Sequence, residues 1–96
     1  MKEIKCLIEI IEEELDGADH YAELYHKYSA SDRQLSETFK KVAQQELDHV
    51  HMFHDQAARL IREYPKDPPE AMKAIWEWEH DKMIEQEKEV RILLDM

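Results

Sequence analysis

The residues Tyr28-Ser29-Ala30-Ser31-Asp32-Arg33 interrupt a long run of helix-forming sequence, and that interruption decides the fold. On either side, apolar residues recur every three or four positions, the period of a helix with one buried face. Ser31 followed three residues later by Gln34 forms a capping-box pattern that can start a new helix. A second break lies at Pro65-Lys66-Asp67-Pro68-Pro69, where Asp67 is placed to cap, Pro68 suits a first helical position that needs no amide donor, and Glu70 closes another capping box. The expectation is one all-α domain over residues 1–96, with helices at about 2–28, 32–64 and 68–94. The first two, joined by a short loop, should form an antiparallel hairpin.

Composition agrees with this. One glycine and three prolines leave few places to turn. A net charge of -10 disfavours a nucleic-acid backbone as partner and favours cations. The lone cysteine, Cys6, has no internal partner for a disulfide, and no apolar run approaches the roughly 20 residues that span a bilayer. With no signal peptide in view, the chain reads as a soluble protein of a reducing cytosol. Three helices of this size bury a thin core, so association with further copies is expected.

Helix periodicity then sorts the acidic residues. In the first helix the apolar stripe is Ile4, Leu7, Ile8, Ile11, Leu15, Ala18, Ala22 and Tyr25, and of the run Glu12-Glu13-Glu14 only Glu14 falls inside it. In the second, the expected stripe is Leu35, Phe39, Val42, Val50, Phe53, Ala57, Leu60 and Tyr64, with Glu46 near its centre and His49 one turn on. A carboxylate buried alone costs several kcal/mol or takes up a proton. No Lys or Arg shares either face, so Glu14, Glu46 and His49 are candidate metal ligands. The spacing Glu-x-x-His sets a hard oxygen and an imidazole one turn apart, within reach of the same ion. The pattern also occurs at Glu23 with His26 and at Glu77 with His80, but those glutamates lie outside their helices' apolar stripes. The same inward polar set could serve instead as a satisfied polar core that fixes helix register.

Di-metal carboxylate bundles draw a Glu from each of two helices and a Glu-x-x-His pair from each of two others. This chain has one of each, half a set. Two hairpins packed about a two-fold axis would bring together four carboxylates and two imidazoles, enough to neutralise two divalent ions at the usual spacing of roughly 3.5–4 Å.

Glu14, Tyr21 seven residues later, and Glu46 with His49 on the next helix resemble the ferritin and rubrerythrin superfamily, and the one-hairpin layout is most similar to the encapsulated ferritins. The resemblance covers the first two helices. It implies a ferritin-like four-helix bundle made by a homodimer or larger oligomer, a di-iron centre, and oxidation of ferrous iron by dioxygen or peroxide. It also implies Glu14, Glu46 and His49 as iron ligands, with Glu46 bridging. Tyr21 would be a hydrogen-bond donor to Glu14, or else an ordinary core tyrosine. A cytoplasmic location, inside a protein shell or outside one, goes with that reading. Two features depart from it: the sequence has no Cys-x-x-Cys pair for a rubredoxin domain, and no Gly- or Ser-rich tail bearing a shell-targeting peptide follows Met96.

The third helix carries no motif of that family. Its apolar side holds Ala71, Met72, Ile75, Met83, Val90 and Leu93, with Glu79 among them and His80 beside Trp76. Glu79 and His80 are either additional ligands or contacts to another subunit. Trp76 and Trp78 fall on opposite sides, one for the core and one for an interface. His20, His51, His54 and Glu13 are expected on a solvated face. Two functions follow: a ferroxidase, or a non-catalytic helical assembly module whose inward Glu and His residues set dimer register or bind a structural metal.

Overall fold

The structure, a computed structural model, describes residues 2–65 and 69–96. Three helices account for nearly all of it: α1 (Lys2–Tyr28), α2 (Arg33–Arg62) and α3 (Glu70–Asp95), with no strand among the described residues. The first break falls where the sequence places it, but the cap differs. Asp32, not Ser31, caps α2, its carboxylate accepting from the Leu35 amide at 3.1 Å. Aspartate does this as well as serine, and the chain starts the helix at the nearer of the two. At the second break α3 begins after Pro69, which makes no side-chain cap; the expected roles of Asp67 and Pro68 lie outside the described residues. No described helix is long and apolar enough to cross a membrane.

α1 and α2 pack as an antiparallel hairpin along their whole length, tied near the loop by the Ser36 hydroxyl, which donates to the Tyr25 carbonyl at 2.7 Å. α3 runs parallel to α1, on which it mainly packs: Met72 meets Ile4 and Ile8, the Gln86 amide donates to Asp16 at 2.9 Å, and the His26 ring bonds the Leu93 carbonyl near the far end. The molecule is a rod of 55 × 17 × 16 Å.

Of the expected α1 stripe, Ile4, Ile8, Ile11, Leu15, Ala18 and Ala22 are buried, while Leu7, Tyr25 and Glu14 are half-buried. The α2 stripe is only in part the one expected: Val50 and Ala57 are buried as read, and the other buried positions lie outside it. Its buried residues are Ser36, Ala43, Leu47, Val50 and Ala57, whereas Leu35 is 37% exposed and Phe39, Val42, Phe53, Leu60 and Tyr64 are half-buried. Ser36, Ala43 and Ala57 are small and Leu47 and Val50 fill the rest of the buried side, while Leu35, Phe39, Val42 and Phe53 are left on a flank. Leu47 is 1% exposed. Leu47→Ala is therefore expected to cost about 2–5 kcal/mol, and Leu35→Ala less than about 1 kcal/mol, by urea unfolding.

In α3, Met72, Met83, Val90 and Leu94 are buried, while Ala71 and Ile75 are exposed. Trp76 packs against the core and Trp78 is 63% exposed, the division expected. The histidine belt is not uniformly solvated. His51 bonds Glu87 at 2.6 Å, and His54 lies against His80 and Trp76. The sequence periodicity of α2 alone does not show that α3 covers that side.

Candidate metal centre

Near the middle of the hairpin, Glu14 of α1 comes opposite Glu46 and His49 of α2. One ligand atom from each of the three lies within 4.8 Å of the others, and they are the only such His, Cys, Asp or Glu group among the described residues. The antiparallel packing brings the two helix midpoints together, and the one-turn spacing of Glu46 and His49 turns both toward α1. The His49 ring nitrogen Nδ1 donates to Glu14 Oε2 at 3.2 Å. Of the three Glu-x-x-His pairs, this alone enters such a group. Glu23 and Glu77 are exposed, and His26 is engaged by the Leu93 carbonyl.

The carboxyl of Glu46 is pushed up to about 7, first by a hydrogen bond with Glu14, then by burial and by the Glu14 charge, with His49 pulling the other way. The Glu46 carboxyl therefore keeps its proton, set toward Glu14, to a higher pH than a free glutamate does. No Lys or Arg forms an ion pair with either among the described residues. Two carboxylates and an imidazole make a donor set suited to iron, manganese or zinc, with the Glu46 proton standing where a cation would.

One contributor escaped the sequence reading. Gly17, the single glycine, sits inside α1 one turn after Glu14, where glycine costs about 1 kcal/mol relative to alanine. Its φ is not positive, so backbone conformation does not require it. A Cβ placed there would lie 3.4 Å from Glu46 Oε2 and 3.7 Å from its Cδ. The Glu46 carboxylate thus lies against bare backbone; alanine would just touch it and a larger side chain would displace it. A lone glycine one turn from an inward glutamate was the available signal.

Tyr21 stacks on Phe39 at 6.1 Å, with rings 20° apart, and no hydrogen bond joins it to Glu14 among the described residues. Glu79 and His80 are not brought to the trio. Glu79 meets Glu12, which together with burial raises its carboxyl above the ordinary value, burial being the larger cause. His80 lies against Trp76 and His54.

Compared with protein-family models, with curated proteins and with solved structures, the chain matches none. The ferritin-like resemblance therefore stands on Glu14, Tyr21, Glu46 and His49 alone.

Proposed function

We propose that the chain is a ferroxidase of ferritin-like type, whose di-iron site is assembled from two copies of the α1–α2 hairpin. The observation that carries this reading is a second apolar seam. Along α1, Leu7, Ile10, Glu14, Gly17, Tyr21, Leu24 and Tyr28 alternate in steps of three and four, and all seven are half-buried. Along α2, Leu35, Phe39, Val42, Glu46, His49 and Phe53 do the same, none of them fully buried. Such spacing is that of helices that pack against further helices. The three ligands occupy the middle of these two seams, so a hairpin docked there would cover them and add its own Glu14, Glu46 and His49.

Ferrous iron is the substrate. Two ferrous ions passing one electron each to dioxygen yield two ferric ions and, with two protons, hydrogen peroxide. Glu14 and His49 would hold one ion per chain, and Glu46, whose carboxylate already reaches Glu14, would link the halves. The Glu46 proton leaves as the cation enters. That proton also satisfies the pair without metal, and this favours, as second reading, an assembly module in which the trio fixes register.

Anaerobic ferrous loading followed by air separates them. The ferroxidase reading expects ferric absorbance to rise much faster than in protein-free buffer; a rise no faster than buffer leaves the assembly module.

A further inference from the structure

Two side-chain pairs join α2 to α3, one turn apart on α2 and two turns apart on α3. In one, His51 Nε2 bonds Glu87 at 2.6 Å, and Glu87 is also held by the Arg91 guanidinium at 2.9 and 3.2 Å. That pair is satisfied. In the other, the rings of His54 and His80 lie 4.9 Å apart and 36° from parallel, and neither makes a hydrogen bond among the described residues. The Asp55 carboxylate stands 3.6 Å from His54 Nδ1, beyond hydrogen-bond reach. Both histidines are half-buried, and the Trp76 ring lies 5.4 Å from His54 and 6.0 Å from His80. Half-buried imidazoles normally find partners for the lone pair and the N–H each carries. These two, from separate helices, face one another instead.

We propose that His54 and His80 form a second metal site, separate from Glu14, Glu46 and His49, which takes a nitrogen-preferring divalent ion of the copper and zinc class and clamps α3 to α2. Two metal–nitrogen bonds of about 2.0–2.1 Å set ligand nitrogens roughly 3 Å apart, so the two rings, with centroids 4.9 Å apart, would turn their nitrogens toward a common ion. Water completes the shell. The ligand chemistry differs between the two sites: a pair of imidazoles favours copper and zinc, whereas the carboxylate-rich centre also takes the harder iron and manganese. The proposal does not depend on ferroxidase activity. Because α3 otherwise packs mainly on α1, a metal bridge here would add a direct tie to α2.

The test uses the full chain carrying Trp78→Phe, so that Trp76 is the only tryptophan, and copper(II) as probe. Trp76 emission should be quenched to saturation at one copper per chain, equally when Glu46→Ala and His49→Ala are also present, and zinc(II) should reverse it. Copper electron paramagnetic resonance should show two coordinating nitrogens. His54→Gln and His80→Gln, checked for intact helix content by circular dichroism, should each weaken binding about tenfold or more. Quenching that disappears with Glu46→Ala and His49→Ala would place the copper at the other centre and overturn the proposal. So would unchanged affinity in both glutamine variants. A resonance spectrum with a single nitrogen in the unmodified pair would overturn it without reference to any variant.

Discussion

Glu46→Ala should abolish the rapid oxidation of ferrous iron, while Glu13→Ala should leave it close to the unmodified rate. Both residues are glutamates in helix middles. Glu46 lies within 4.8 Å of Glu14 and His49, whereas Glu13 is exposed on the other side of α1. Replacing outer partners of metal ligands already costs roughly 10–100-fold, so loss of a bridging ligand should cost at least about a hundredfold. Stopped-flow absorbance after mixing with aerated buffer measures both. Equal rates for the two variants would remove Glu46 from the site. A second consequence goes the other way: Glu46→Ala should stabilise the metal-free protein above pH 7, because it deletes a carboxylate held against Glu14.

Metal should raise the thermal midpoint by about 10–20 °C when free metal is near a hundred times its dissociation constant, from a gain of about 2.7 kcal/mol at about 4–8 °C per kcal/mol. The pH dependence has a definite sign. Glu46 binds its proton more tightly in the folded chain, at about 7 against 4.5 for the free side chain. Folding thus gains from that proton at low pH, and the gain is lost as pH rises between those values. Glu46 is partly open to solvent, which limits the loss to about 1 kcal/mol. Metal displaces the same proton. Binding should therefore tighten as pH rises toward 7 and release close to one Glu46 proton per chain at pH 6, falling toward none at pH 8. Calorimetry in buffers of different ionisation enthalpy reads that number. Release that does not change across this range would mean that Glu46 is not displaced by the ion.

The helices, the hairpin and the meeting of Glu14, Glu46 and His49 were legible because each depends on local pattern: a polar break, a 3.6-residue period, a one-turn spacing; their burial was not, since His49 is exposed and the two glutamates are half-buried. The α2 core was legible only in part. Hydrophobicity selects the large side chains Leu35, Phe39, Val42 and Phe53, but the buried side of α2 is made by Ser36, Ala43, Leu47, Val50 and Ala57, of which only Val50 and Ala57 belong to the expected stripe. α2 has two apolar seams, and periodicity weights the bulkier. That difference is itself informative, because the bulkier seam is the one that carries Glu46 and His49 and stays half-open. Gly17 was hidden because its reason is the volume of a side chain 29 positions away. The contacts of Glu79 with Glu12 and of His80 with His54 depend on how α3 lies on the hairpin, which no pattern within α3 encodes.

The central claim is that one chain holds half a site, and sedimentation equilibrium with and without saturating ferrous or cobalt ions under anaerobic conditions tests it most directly. At matched ionic strength near pH 7, the metal-loaded protein should have twice the chain mass of 11.6 kDa, or an even multiple of it, with two tightly held ions per pair of chains. A mass of 11.6 kDa under saturating metal, with one tightly bound ion per monomer, would contradict it.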